Sequence, residues 1–397
     1  MSSKNDPKPK LSGTDLLHAD DDVPRGLEVA PSISVTTTYK QPDAWDPNLT
    51  LDQLNLNNPV RHIYSRYTQA VSTRAEHVLS KINQGYAITY ASGLAAAYAA
   101  LVFFKPKRVA ITGGYHGCRM VLEMYKRSYD DLVLIGIDDE FQEGDLCWVE
   151  TPLNPKGICR NIQHYADKVH AVGGKLIVDA TFGPPPLQYP FKWGTDIILH
   201  SGTKYFGGHS DLLCGILVVK TLEEWNQLWS QRTFLGSMMG SLESWLLLRS
   251  LRTLHLRVPK QSESATELAS WLNKASQGQA SDGIPAGIID TVYHASLQKS
   301  DADGWEPRKQ MEGGWNATFA IVLASAELAT LLPHSLKLFI PATSLGGVES
   351  LVEHRVASDP SEDPRLIRLS IGVEEVEDLK DDLRRAFQKM ASAKAKL

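Results

Sequence analysis

His200-Ser201-Gly202-Thr203-Lys204-Tyr205-Phe206-Gly207-Gly208-His209-Ser210 follows Thr195-Asp196-Ile197-Ile198-Leu199, a short apolar run rich in β-branched residues. Such a run reads as a buried strand. A lysine just beyond it, among small hydroxyl residues and glycines, fits an amine held in a pocket to form an imine, which is how pyridoxal phosphate (PLP) is anchored. Ser201 and Thr203 supply hydroxyls suited to the cofactor phosphate. The same residues also fit an ordinary strand end with a snorkelling lysine, and this segment alone leaves both readings open.

Working outward, Gly174-Lys175-Leu176-Ile177-Val178-Asp179-Ala180-Thr181 is a second buried strand, and it ends in an acid 25 residues before Lys204. A carboxylate at a strand's carboxyl end is placed to pair with a protonated pyridine nitrogen, which keeps the ring able to accept electrons. A helix cap or a turn acid is the plainer alternative for Asp179. Between about 59 and 250, further short apolar strands (108–112, 131–136, 146–150) alternate with helical stretches. That alternation predicts βαβ units and a largely parallel sheet with helices on both faces, with ligands beyond the carboxyl ends of the strands.

Residues 1–58 lack a sustained period and are expected to form an extended arm. Residues 59–250 are expected to form the cofactor-binding domain, and 251–397 a smaller α+β domain that closes over it. The smaller domain is expected to contain a helix near 251–275, strands at 318–323 and 366–370, and a last helix over 376–393.

The chain has 397 residues, ample for a large core, and its 43% hydrophobic and 22% charged content is ordinary for a globular protein. A net charge of -5 argues against a general nucleic-acid binder. No run of about 18 apolar residues marks a membrane span, and the polar start Met1–Lys10 does not resemble a secretory signal. Cys118, Cys147, Cys159 and Cys214 form no C-x-x-C pair and no H-E-x-x-H is present, so no metal site is expected. Sparse cysteine fits a reducing, cytoplasmic setting. Ala395-Lys396-Leu397 resembles a peroxisomal address, and a frayed Ala- and Lys-rich helix end would read the same way.

Several stretches share one more property. Val178-Asp179-Ala180-Thr181-Phe182 and the Lys204 segment occur together with Tyr64-Ser65-Arg66, Ala91-Ser92-Gly93-Leu94-Ala95-Ala96, Gly114-Tyr115-His116-Gly117, Glu150-Thr151-Pro152-Leu153-Asn154-Pro155, Ser344-Leu345-Gly346-Gly347-Val348-Glu349-Ser350-Leu351 and Leu366-Ile367-Arg368-Leu369-Ser370. In this order, from about residue 25 onward, they resemble the Cys/Met-metabolism PLP enzymes, which include cystathionine γ-synthase, cystathionine and methionine lyases and O-acetylhomoserine sulfhydrylase.

The resemblance implies the type I, aspartate aminotransferase-like α/β fold. It implies that Lys204 anchors the cofactor and then moves protons, that Asp179 faces the pyridine nitrogen and that Thr181 lies beside the ring. It implies that Tyr115 stacks on the ring and assists proton transfer. Ser92, Gly93 and Leu94, at a helix start offering backbone amides, join Ser201 and Thr203 around the phosphate. Tyr64 and Arg66 are expected to reach the phosphate in a neighbouring subunit, which implies a homodimer with shared sites, and usually a tetramer. Arg368 is expected to hold the substrate α-carboxylate, with Asn154 and Ser344 nearby. Glu150 matches an acid near the site.

The chain departs from the family's pattern at four places, of which the first bears on substrate specificity. After Arg66 the family's Gly-Asn-Pro-Thr turn is replaced by Tyr67-Thr68-Gln69-Ala70-Val71-Ser72-Thr73, which alters a loop bordering the neighbour's site. Thr343 stands where γ-acting members often carry Glu and β-lyases an aromatic. Gly202 and Ala180 are smaller changes. Leu345 follows Ser344 as in γ-acting members. The expected activity is γ-replacement on an O-activated L-homoserine, with O-acetyl-L-homoserine as the expected donor and a thiol such as L-cysteine, or a carbon nucleophile, as acceptor. Elimination by a cystathionine or methionine lyase is the alternative within the family. A catalytically weak PLP-fold binding or regulatory subunit is the alternative of another class, and the intact Lys204, Asp179, Tyr115 and Arg368 set argues against it.

Overall fold

The computed structural model describes residues 11–24, 26–41 and 55–394. The terminal Ala395-Lys396-Leu397, the start Met1–Lys10 and part of the arm lie outside the described residues.

Seven strands build the larger sheet: β1 (Tyr86–Tyr90), β2 (Arg108–Ile111), β3 (Val133–Ile135), β4 (Leu146–Glu150), β5 (Lys175–Asp179), β6 (Ile197–Ser201) and β7 (Gly215–Val219), in the order β1-β7-β6-β5-β4-β2-β3. β6, β5, β4, β2 and β3 are mutually parallel, as the alternation predicts. β7 runs antiparallel to both β6 and β1. The reason is local: residues 202–214, which join β6 to β7, are wound into the Lys204 loop rather than a crossover helix, so β7 must return beside β6.

The central strands are apolar on both faces, as buried parallel strands must be. Ile88, Val109, Trp148, Ile177, Leu199 and Leu217 face the helices Gly93–Phe104, His116–Lys126 and Leu222–Leu235. The alternating residues Ala87, Ala110, Val149, Val178, Ile198 and Ile216 face Ala70–Asn83, Ile162–His170, Ser241–Leu251 and Leu254–Ala275. The stretch expected as an extended arm is not extended throughout. Residues Gly13–His18 form a helix capped by Ser12, and Leu11, Leu16 and Val23 are buried.

The second sheet contains β8 (Ile289–Tyr293), β9 (Thr318–Leu323), β10 (Ile340–Pro341), β11 (Leu351–His354) and β12 (Leu366–Ser370), in the order β10-β11-β12-β9-β8. All its pairings are antiparallel except β10 with β11. This unit is joined to the lysine loop directly. Val348 N–H donates to the Gly208 carbonyl at 2.9 Å, and the Tyr205 and Thr318 hydroxyls share a hydrogen bond of 3.0 Å.

Candidate active site

Beyond β6 the chain turns on Lys204 N–H to Ser201 O at 3.1 Å, Gly207 N–H to Gly202 O at 2.8 Å and Gly208 N–H to Lys204 O at 2.6 Å. Gly208 takes φ +67°, a left-handed conformation that favours glycine. A Cβ there would also meet the Arg257 guanidinium at 2.0 Å. Arg257 is buried and donates to the carbonyls of Tyr205 at 2.8 Å and Ser250 at 2.9 Å, which clamps the loop.

The loop delivers the Lys204 amine to the Ser344 hydroxyl at 2.9 Å, across 140 residues of sequence. Burial, and then the charge of Arg368, lower the amine's pKa to about 8, against a smaller opposing effect of Glu353. An amine near 8 can both give and take a proton near neutral pH.

Asp179 ends β5 and lies directly across from Glu150, which ends β4. Both are buried. Thr181 donates to Asp179 Oδ1 through its N–H (3.0 Å) and its hydroxyl (2.6 Å), and the same hydroxyl oxygen accepts the Ser201 N–H at 2.9 Å. The Glu150 carboxylate accepts the N–H groups of Tyr115 and Asn154, each at 2.7 Å. Burial pushes the pKa of Asp179 up, and burial with the neighbouring Asp179 charge pushes that of Glu150 up; Arg160 offsets the latter only weakly. Among the described residues neither acid forms an ion pair.

The helix Gly93–Phe104 points its N-terminus at the same edge. Ser92 caps it by accepting the Ala95 N–H at 3.1 Å. A Cβ on Gly93 would lie 3.3 Å from the Ser201 hydroxyl, so this glycine leaves room where backbone amides meet Ser201. Tyr115 is 50% exposed and Leu94 37%, and a Cβ on Gly117 would touch both side chains. The Thr203 hydroxyl bonds to the Cys214 backbone, accepting N–H at 2.9 Å and donating to O at 3.3 Å, and would have to rotate to serve an anion.

From the second sheet, Arg368 is 5% exposed. Its Nη1 donates to Asn154 Oδ1 at 3.0 Å. Its Nη2 donates to the carbonyls of Ser344 (3.0 Å) and Thr343 (3.3 Å) and pairs with Glu353 at 2.5 Å. Contacts therefore run without a gap from Lys204 through Ser344, Arg368 and Asn154 to Glu150 and Tyr115, and Glu150 lies beside the Asp179–Thr181–Ser201 chain. A cavity of about 640 Å³ opens beside Thr203 and Ser344, with Asp211 and Glu243 in its lining.

Two expected residues stand apart. Arg66 donates to the Thr233 carbonyl at 3.2 Å and lies over the rings of Tyr64 and Tyr67, at 5.5 and 5.2 Å. Neither Tyr64 nor Arg66 joins the Lys204 network within this chain.

Sequence reasoning missed Arg257, Glu353 and Arg355. Arg257 reads as an ordinary helix-surface charge, and nothing local says that it folds onto the Tyr205 carbonyl 52 residues away. Glu353 and Arg355 gave no signal: in Leu351-Val352-Glu353-His354-Arg355 they read as a mixed, solvated charge run.

The donor set fits pyridoxal phosphate. A buried acid without a cation awaits a positive ring, a glycine-opened helix N-terminus awaits an anion, and a lysine with a lowered pKa stands between them. Comparison with known proteins agrees. The model of the Cys/Met metabolism PLP-dependent enzyme family matches residues 13–388. A cystathionine gamma-lyase of Dictyostelium discoideum is 30% identical, over 95% of this chain and 97% of its own. A cystathionine gamma-synthase/O-acetylhomoserine (thiol)-lyase of Bacillus subtilis is 28% identical, over 90% of this chain and 91% of its own. The solved structure of apo CalE6, a methionine gamma lyase from Micromonospora echinospora, superposes with a TM-score of 0.81 at 28% identity, covering 94% of this chain and 98% of that one. With its family model matched over residues 13–388, this chain is a member of the Cys/Met-metabolism family of PLP-dependent enzymes.

Proposed function

We propose that the enzyme carries out γ-replacement on an O-activated L-homoserine, with O-acetyl-L-homoserine as donor and a thiol such as L-cysteine as acceptor. Bound pyridoxal phosphate supplies an aldehyde for the substrate amine and a cationic ring that takes up electrons when a proton leaves Cα. The chain's own residues do the rest. Arg368, steadied by Asn154, takes the substrate carboxylate as a planar fork. The Lys204 amine accepts the Cα proton and hands it to the bound cofactor, which frees it to accept one from Cβ. The γ-substituent departs with its bonding pair as a carboxylate, the thiol adds at Cγ and its proton goes to that carboxylate, and Lys204 then returns one proton to Cβ and one to Cα. Ser344 holds that amine on the line of transfer. Asp179 stays anionic against the ring nitrogen. The N-terminus of Gly93–Phe104 with Ser92, Leu94 and Ser201 holds the phosphate, and Tyr115 covers the ring. Tyr64 and Arg66, free of their own subunit's network, serve the site of a second copy, so the working unit is at least a dimer.

The observation that supports replacement is the similarity to a cystathionine gamma-synthase/O-acetylhomoserine (thiol)-lyase. Elimination is the second reading, supported by the similarity to a cystathionine gamma-lyase. Mass spectrometry of products from the holoenzyme and O-acetyl-L-homoserine, with and without L-cysteine, separates the two. A cystathionine mass that appears only with cysteine supports replacement. 2-Oxobutanoate and ammonia in both mixtures sink it in favour of elimination.

A further inference from the structure

The acid that faces Arg368 is not its alone. Glu353 on β11 stands directly across from Arg368 on β12. Both Glu353 carboxylate oxygens accept from Arg355 Nη1, each at 3.1 Å, and one also accepts the Ser358 hydroxyl. Glu353, Arg355 and Arg368 are 6%, 8% and 5% exposed. The buried group therefore holds two guanidinium charges and one carboxylate. Asp359, partly exposed and hydrogen-bonded to Ser361, also feels the charge of Arg355 from the following turn, with His116 beyond it, and offsets that charge in part. Burial lowers the pKa of Arg368, Glu353 raises it, and the charge of Arg355 lowers it again, with smaller opposing effects of Tyr205 and Glu150.

We propose that Arg355 is a positioning residue for substrate recognition: by sharing the Glu353 carboxylate with Arg368 it leaves two guanidinium groups with one acid between them, so the site meets a substrate carboxylate with one positive charge in excess. This role rests on Arg368 taking the carboxylate, as proposed above. A buried charge left without a counterion is costly, and the remaining partners of Arg368 are neutral dipoles, Asn154 Oδ1 and the carbonyls of Thr343 and Ser344. An α-carboxylate supplies the missing charge. Arg355 is itself held at a cost, because its Nε is buried without a hydrogen-bond partner. An apolar residue would pack there more cheaply, which is what a residue kept for its charge looks like. With Arg355 neutral, the existing Glu353–Arg368 pair is left balanced, and the excess positive charge that attracts the substrate is gone.

The test is ligand binding to the holoenzyme, read as the change in the cofactor's visible absorbance, with glycine and with methylamine, which is the same amine without a carboxylate. Arg355→Gln should weaken glycine about tenfold and leave methylamine within about twofold. Arg355→Lys, which keeps the charge and loses the fork, should bind glycine within about threefold of the wild type. Equal weakening of both ligands, no weakening of glycine, or a tenfold loss in Arg355→Lys overturns the proposal. Should Arg355→Gln fail to fold, Arg355→Lys alone decides it by the same threshold. Glycine has no γ-substituent, so the outcome does not depend on replacement or elimination. If Arg368→Gln leaves glycine binding unchanged, it is the carboxylate assignment that has failed.

Discussion

The two sides of this active site are buried charge clusters with opposite deficits. At the carboxyl ends of β4 and β5, Glu150 and Asp179 are two acids side by side with no ion pair among the described residues. Across the site, on β11 and β12, Arg368 and Arg355 share one acid, Glu353. The acidic side lacks a cation and the basic side lacks an anion. In the function proposed above, a cationic cofactor ring and an anionic substrate carboxylate would fill the two vacancies; Lys204 stands between the clusters, its amine within reach of Ser344. Neither cluster is at its most stable alone, since unpaired buried charges cost free energy. The site is thus assembled to be completed by what it binds.

The comparison breaks most visibly at the residue between the clusters. Lys204→Ala should lower turnover by about 10⁴-fold or more while leaving the fold intact, because the amine that takes the Cα proton is removed; product mass spectrometry with circular dichroism checks both. On the basic side, Arg368→Gln should reduce kcat/KM by on the order of 10³-fold, the loss of two charge-assisted hydrogen bonds, with cofactor binding retained in an absorbance titration.

The same variant sharpens the electrostatics. With the Lys204 pKa near 8, the neutral amine declines about tenfold per pH unit below that value, so a rate limited by proton removal climbs with pH and levels off above about 8. Arg368 is one of the causes that lower this pKa, so Arg368→Gln should move the inflection to higher pH. A move to lower pH, or none, would contradict the assigned proximity.

On the acidic side, Asp179→Asn should weaken cofactor affinity roughly 10- to 100-fold, measured by titrating the apoprotein, because a neutral amide cannot balance a protonated ring. An unchanged affinity would mean that Asp179 does not face the ring nitrogen. Ser344→Ala should cost the least, roughly threefold to tenfold in kcat, since one neutral hydrogen bond contributes about 0.5–1.5 kcal/mol.

Legibility in the sequence differed between the two sides. The acidic side was open to reading, because β4, β5 and β6 are apolar runs that stop at Glu150, Asp179 and Ser201, and the parallel alternation places those ends together. The basic side was visible only as Arg368 within an apolar strand. Its partner Glu353 depends on the antiparallel register of β11 with β12, and a shift of one residue would turn the acid to the other face. The helix Gly13–His18 was missed because six residues carry too little period to register.

The sequence by itself determined the alternation of strands and helices, the lysine and acid at strand ends, and the order of motifs that marks the family, because each of these is a local pattern of residue types. Tertiary structure alone decided that Ser344 meets Lys204, that Arg257 clamps the loop, that β7 turns back and that Arg355 shares Glu353. Those outcomes depend on which buried charges and strand faces come together across long separations, and packing and register, rather than neighbouring residues, choose among them.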